Sequence, residues 1–176
     1  MSVEETLIDA RADTTDWLVA ATIATEVPPS PMQNSHSKVM FTSPMILAAQ
    51  QAVAEVIANR MAHPGFPKTA LGVILQPKQF SGVMRGVTAA QLGHRDIWAD
   101  AVVGSWFPAH VQECWQAWRR VREMTRTGHD AQLVPGALYY YSPVSMVPPF
   151  RVPEWVNGKA LVECERISTD YFRWFK

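Results

Sequence analysis

The chain has little cysteine and no excess of charge of either sign. Its 176 residues include two cysteines, Cys114 and Cys164. Two are too few for a disulfide framework, so both are expected to be free thiols, with a single bridge as the alternative. Lys plus Arg number 16 and Asp plus Glu number 16, which removes any global electrostatic attraction to nucleic acid or an acidic surface. No run approaches the roughly 18 uninterrupted apolar residues that cross a bilayer, so no membrane insertion is expected. The N-terminus, Met1-Ser-Val-Glu-Glu-Thr-Leu-Ile-Asp9, is acidic and has no basic segment followed by an apolar run. It does not read as a secretory signal. His36, His63, His94, His110 and His129 show no ligand spacing with one another or with the cysteines, and there is no phosphate-binding glycine loop or nucleophile elbow. No metal and no cofactor are expected.

What is present is a folded composition, 48% hydrophobic and 18% charged, with enough length for one domain and a real core. The most informative stretch is Trp17-Leu-Val-Ala-Ala-Thr-Ile-Ala-Thr-Glu26-Val27, followed at once by Pro28-Pro29. Trp17, Ala20, Ala21 and Ala24, with Ile23 and Val27 beside them, recur at helical spacing and predict a buried or half-buried helix. Two prolines cannot continue it, and the residue before a proline avoids helical angles, so it should stop near Glu26. One carboxyl group then lies in the last turn of an otherwise uncharged segment. The negative end of the helix dipole and the apolar neighbours both disfavour its ionised form. Such an acid suits proton donation in glycoside cleavage. Taken alone, the stretch also allows a solvated glutamate at a helix end.

Three further segments follow in order. Residues 50–60 read Gln-Gln-Ala-Val-Ala-Glu-Val-Ile-Ala-Asn-Arg, residues 66–81 run from Phe-Pro-Lys-Thr through Gly-Val-Ile to Gln-Phe-Ser, and residues 136–143 read Gly-Ala-Leu-Tyr-Tyr-Tyr-Ser-Pro. With Ala-Thr-Ile-Ala-Thr-Glu26, this succession resembles the SleB-type cell-wall hydrolases, the spore-cortex-lytic enzymes. Their pattern is roughly A-R-T-I-Y-G-E-A, then Q-x-A-V-A-x-V-x-x-N-R, then F-P-x-T-x-x-x-V, then Q-F-S, then G-A-L-x-Y-Y-N-P. The family's Arg, Tyr and Gly near its glutamate are here Ala21, Ala24 and Thr25, its Asn after the tyrosines is Ser142, and its terminal I-G-x-H-x-F is Ile167-Ser-Thr-Asp170-Tyr-Phe172. The resemblance implies a lysozyme-like α+β fold, mainly helical with a small antiparallel sheet. It divides the chain into an N-terminal lead, 1–13, and a single catalytic domain, 14–176, with insertions at about 28–44 and 82–130.

Local signals fill in the elements. Ser43-Pro44 reads as an N-cap followed by proline, opening a helix from about Pro44 to Met61 that buries Ile46, Ala49, Ala52, Val53, Val56 and Ile57. Thr69–Leu75 is a short helix by resemblance, although Leu-Gly-Val-Ile-Leu alone allows a strand. Residues 96–126 predict tryptophan-rich helices. In the second, Val111, Cys114, Trp115, Trp118, Val121 and Arg122 share a face, and Arg119, Arg120 and Arg126 lie outside it. Tryptophans at that spacing read as core rather than sugar platforms. Ala137–Tyr141, Ala160–Glu165 and Tyr171–Phe175 read as strands, and alternation sends Tyr139 and Tyr141 to one face and Tyr140 to the other.

By the resemblance, Glu26 is the catalytic acid for cleaving peptidoglycan glycan strands, by a lytic transglycosylase or a muramidase route. Gln79 and Ser81 are suited to bind sugar hydroxyl or acetamido groups, and Tyr139, Tyr140 and Tyr141 to orient the acid or stack on a sugar. No second acid lies in a recognisable motif; Glu55 is expected in a salt bridge or in solvent. A cell-wall enzyme made in the cytoplasm without a signal needs another exit. A phage lysis enzyme or a virion component fits, as does a chain trimmed of its signal. The second reading is non-catalytic: a structural or glycan-binding part of a phage virion or tail, with phage structural proteins as partners.

Overall fold

In a computed structural model of the chain, residues 14–27, 42–77, 79–80, 107–128 and 132–176 are described. The N-terminal lead, most of the proline-rich stretch after Glu26, the first tryptophan-rich helix and Ser81 lie outside these residues. The described residues form four α-helices and a small sheet: α1 (Thr14–Glu26), α2 (Ser43–Ala62), α3 (Ala70–Ile74), α4 (Phe107–Thr127), β1 (Tyr139–Tyr141), β2 (Leu161–Val162) and β3 (Arg173–Phe175). This is the mainly helical α+β layout, with helices on one side and a meagre antiparallel sheet beside them.

Helix α1 is the centre of the core. Trp17, Leu18, Val19, Ala20, Ala21, Ile23, Ala24 and Val27 are all buried, so it is covered on nearly every side, chiefly by α4 and then by α3 and α2. Its small residues let those neighbours approach closely. It stops at Glu26, where the amide of Val27 still closes a turn onto the Ile23 carbonyl at 3.0 Å, just short of the two prolines.

Helix α2 starts one residue earlier than its Ser-Pro signal suggests. The cap is Thr42, in extended backbone and without a side-chain cap bond, and Ser43 is already helical. Proline is tolerated throughout the first turn because its missing N–H has no intrahelical partner there. The helix buries the expected stripe and also Ala48, Gln50, Gln51, Ala54 and Glu55. Between Gly72 and Thr69 the short apolar run finds its cap: the Thr69 hydroxyl accepts from the Gly72 amide at 3.1 Å. That bond decides for helix α3 where the apolar residues alone allow a strand.

Helix α4 turns Val111, Cys114, Trp118 and Val121 inward. Trp115 is half-buried, with the Arg119 guanidinium 4.8 Å from its ring centre. Both cysteines are free thiols, Cys114 buried and Cys164 half-buried. Arg122 reaches back to α1: its Nη1 donates to Asp16 Oδ2 at 2.6 Å, while Trp118 Nε1 donates to Asp16 Oδ1 at 2.6 Å. Asp16→Ala is therefore expected to strip the acceptor from a buried indole and to cost about 2 kcal/mol, with Asp16→Asn near half of that. Urea denaturation of the two variants beside wild type measures it, and a loss below about 0.5 kcal/mol contradicts the account.

The sheet has strand order β1-β3-β2, antiparallel throughout. Tyr140 pairs with Trp174 and Tyr139 with Phe175, and Val162 meets Trp174 from the other edge. The strands are shorter than the residue pattern suggests, because turns at 164–167 and 168–172 consume the flanks. The proline-rich connection between β1 and β2 holds only single 3-10 turns at Pro143–Ser145 and Glu154–Val156.

Candidate active site

Helix α2 acts as the template for the approach to β1. Gln51, Glu55 and Asn59 are four residues apart and lie along one helix face. The two oxygens of the fully buried Glu55 accept from the amides of Leu133 (3.0 Å) and Val134 (2.9 Å), and Gln51 Nε2 donates to Oε1 at 3.0 Å. Asn59 Nδ2 donates to the carbonyls of Val134 (3.3 Å) and Ala137 (3.1 Å), and its Oδ1 accepts from Gln132 at 3.1 Å. Arg60 Nε donates to the Leu138 carbonyl at 2.7 Å. Backbone groups of residues 133–138 that would otherwise be buried unpaired are thus read by three side chains of one helix, Glu55, Asn59 and Arg60, with Gln51 bracing Glu55. This corrects the salt-bridged or solvated position expected from the sequence: Glu55 is fully buried and held by neutral donors. A carboxyl so fully engaged is also unavailable as a second catalytic acid. Asp96 and Asp100 lie outside the described residues.

The strand fixed in this way presents Tyr140 to Glu26. The Tyr140 hydroxyl donates to Glu26 Oε2 at 3.0 Å. Its ring is held by Trp174 (centroids 5.3 Å) and Phe172 (5.8 Å). Burial first, and then the charge of Glu26, push the Tyr140 phenol well above its ordinary value, so it stays a donor. Glu26 is half-buried. Thr25 beside it is in regular helix, its hydroxyl donating to the Thr22 carbonyl at 2.7 Å. The backbone at that position needs no glycine in this chain.

A second clamp holds the end of α1. His110 of α4 is buried, and its Nε2–H donates to the Val27 carbonyl. A carbonyl only accepts, so the proton is on Nε2 and Nδ1 is left to accept from Gln50 Nε2, 3.4 Å away. Gln50 Nε2 also donates to Glu113 Oε2 at 3.3 Å. Burial holds His110 below the ordinary imidazole value, against the opposing effects of the Val27 carbonyl and Glu113. The unfolded chain takes up this proton near pH ~6.5, and the folded chain only at lower pH. The contribution of a neutral His110 to stability is therefore complete above that pH and falls as the pH drops through it toward the depressed folded value. The expected slope is at most about 1.4 kcal/mol per pH unit. Denaturant titrations of wild type and His110→Gln across pH 5 to 8 isolate it: the slope in that window should be smaller in the variant.

The remaining expected residues divide. Tyr139 and Tyr141 occupy the opposite face of β1, where both pack on Trp155 at 5.9 and 6.0 Å. Gln79 is exposed and Phe80 is fully buried; Ser81 lies outside the described residues. Of the four proposed substrate contacts among the described residues, Tyr140 is the one with a hydrogen bond to Glu26. Sequence reasoning missed Gln50 and His110, which are sixty positions apart and carry no local signal of their pairing. Among the described residues no group of His, Cys, Asp and Glu could hold a metal ion, and no helix is long and apolar enough to cross a membrane.

Comparison with known proteins bears on this geometry. Residues 47–173 match the family described as Cell Wall Hydrolase, a span that includes the α2 template and β1 and leaves Glu26 outside. Among solved structures, the chain is similar to the catalytic domain of the germination-specific lytic transglycosylase SleB from Bacillus anthracis. The identity is 19% and the TM-score 0.57, covering 93% of this chain and 95% of that one. It is also similar to the catalytic domain of the Bacillus cereus SleB protein, with 19% identity and TM-score 0.54 over 93% of this chain and 90% of that one. No curated protein matches. The structural likeness bears out the lysozyme-like fold implied by the SleB-type resemblance. With the family match spanning most of its length, the chain belongs to the cell wall hydrolase family.

Proposed function

We propose that the protein cleaves the glycan strands of peptidoglycan as a lytic transglycosylase, with Glu26 as general acid and then general base. The observation that carries this reading is the Tyr140 hydroxyl on Glu26 Oε2 at 3.0 Å, at the end of a helix clamped from α4 and against a strand templated by α2. That arrangement fixes one carboxyl oxygen by a donor that keeps its proton. Among the described residues, the buried acids Glu55 and Asp16 are committed elsewhere, Glu55 to backbone amides and Asp16 to Trp118 and Arg122, which disfavours either as a second catalytic carboxylate.

In the proposed reaction the Glu26 proton passes to the glycosidic oxygen linking N-acetylmuramic acid to N-acetylglucosamine. The bond to the anomeric carbon breaks and the glucosamine end leaves. The Glu26 carboxylate then takes the proton of the muramic acid's own C6 hydroxyl as that oxygen bonds to the anomeric carbon. No water is consumed, and the product is an anhydro-muramic end. The Tyr140 donor steadies the carboxylate between the two transfers.

The test is the mass of fragments released from isolated peptidoglycan sacculi, with Glu26→Gln as the paired control. Anhydro-muropeptides from wild type support the transglycosylase. Fragments heavier by one water indicate a hydrolytic muramidase instead. Folded wild type that releases nothing from sacculi of several bacterial types overturns catalysis. The changes at Ala21 and Ala24, both buried, would then favour the glycan-binding or virion role.

A further inference from the structure

Four arginines stand within eight residues of α4: Arg119, Arg120, Arg122 and Arg126. All four are exposed. With Asp16 and Glu123 they line one open groove of about 670 Å³, a local surplus of two positive charges in a chain whose net charge is zero. Three of the guanidinium groups are held by separate contacts. Arg119 lies 4.8 Å from the centre of the Trp115 ring. Arg122 donates to Asp16 Oδ2 at 2.6 Å. Arg126 donates to both oxygens of Glu123, from Nε at 3.0 Å and from Nη2 at 2.5 Å. Side chains already held lose less freedom when a ligand arrives. Arg119 and Arg120 make no ion pair among the described residues, so theirs is the uncompensated charge.

We propose that this groove anchors the protein to an anionic phosphodiester polymer of the cell wall. The cations are all arginine, whose planar fork matches the oxygens of a phosphate in pairs where a lysine offers a point charge. Arg119 and Arg126 are seven residues apart, about 10 Å along the helix axis. A ligand with several phosphates in a row therefore engages more of the groove than a single ion does. Polymers of that kind share the wall with peptidoglycan, where the family of this chain acts. A nucleic acid strand has the same charges but gains much of its affinity by stacking bases on exposed rings, and the ring here, Trp115, is half-buried beside Arg119. The groove is also well placed for anchoring. Asp16, on its wall, precedes Glu26 by ten residues of α1, about 15 Å along that axis, so a polymer held here keeps the last turn of α1 close to the glycan that carries it. The proposal rests on the cell-wall family and not on Glu26 being the acid.

The experiment is fluorescence anisotropy of an end-labelled poly(glycerol phosphate) chain, titrated with wild type and with the double variant Arg119→Gln, Arg120→Gln over a series of salt concentrations. Both side chains are exposed, so the variant should keep the circular dichroism and melting of wild type. Wild type should bind with a Kd that rises steeply with salt. The double variant should bind at least about 10-fold more weakly and lose roughly one to two units of the salt slope. No binding by wild type at low salt, or equal binding by the two proteins, overturns the proposal. A poly-glutamate chain or a single-stranded oligonucleotide of equal charge should bind more weakly, and either one binding as tightly overturns the assignment to a wall phosphodiester. Sedimentation supplies a second readout. Wild type should pellet with sacculi that carry the polymer and far less with sacculi stripped of it by hydrofluoric acid, and equal pelleting overturns the proposal. Glu26→Gln should bind the polymer as wild type does, which keeps a loss of anchoring distinct from a loss of turnover. Weaker binding in that variant would put the polymer at the acid and overturn the groove.

Discussion

Glu26→Gln is expected to lower the rate of glycan cleavage by at least about 1,000-fold, near the upper part of the range for a general acid or base. The size follows from the proposed reaction, in which the group serves twice, giving a proton to the leaving oxygen and then accepting one from the attacking hydroxyl. Glutamine matches glutamate in shape and keeps an oxygen for the Tyr140 hydroxyl, so the fold and the strand position should be unchanged. It has no proton to donate at any working pH and is not a base. The loss should fall on kcat, with KM within a few-fold of wild type, because ground-state sugar contacts are untouched. Two further variants calibrate the figure. Tyr140→Phe removes one hydrogen bond to Glu26 Oε2 and should cost about 10-fold to 100-fold, in line with one positioning contact. Glu26→Asp keeps the chemistry and withdraws the carboxyl by one methylene, and should cost about 100-fold. Initial rates of fragment release from sacculi measure all three. A fall of less than tenfold in Glu26→Gln removes Glu26 from the reaction.

The end of α1 is legible in the sequence because a pair of prolines is one of the few local signals with a single meaning. Likewise, the face on which Tyr140 stands follows from period-2 alternation in a strand, which fixes Tyr140 opposite Tyr139 and Tyr141 whatever the strand packs against. The three-four stripe of α2 is legible too, but it understates burial. Gln50, Gln51 and Glu55 look like the polar back of an amphipathic helix and are in fact covered by α4 and by residues 132–138. Pattern reading assigns polar side chains to water because it cannot see that another segment brings unpaired amides to them. For the same reason the clamp of His110 on Val27 is invisible. It joins residues 83 positions apart, and nothing in either local sequence names the other. The SleB-type resemblance supplied what composition and periodicity could not, the assignment of Glu26 as the acid. It did not foretell the neighbours that position it.

Glu55→Ala should be the most destabilising single change in the described framework, at about 4 kcal/mol. Three donors converge on that carboxyl: the Leu133 and Val134 amides and Gln51 Nε2. Glu55 and Val134 have no exposure at all, so water cannot replace the lost acceptor without opening the core. Each buried donor left unpaired costs about 1–3 kcal/mol, and the vacated side-chain volume adds a cavity term. For a chain of this size each kcal/mol lowers the melting temperature by about 2–4 °C, so a fall of about 12 °C is expected. Glu55→Gln should fall between Ala and wild type, since one oxygen remains while the new amide confronts a backbone N–H. Amide exchange adds a local signature: protection at Leu133 and Val134 should drop ahead of that in α1. Because residues 133–138 deliver Tyr140 to Glu26, the Ala variant should also lose turnover well below its melting temperature, whereas a merely weakened core elsewhere would leave activity intact until unfolding. A melting shift under about 4 °C would mean that the segment finds other partners for its amides, and that the α2 template is not what fixes the strand.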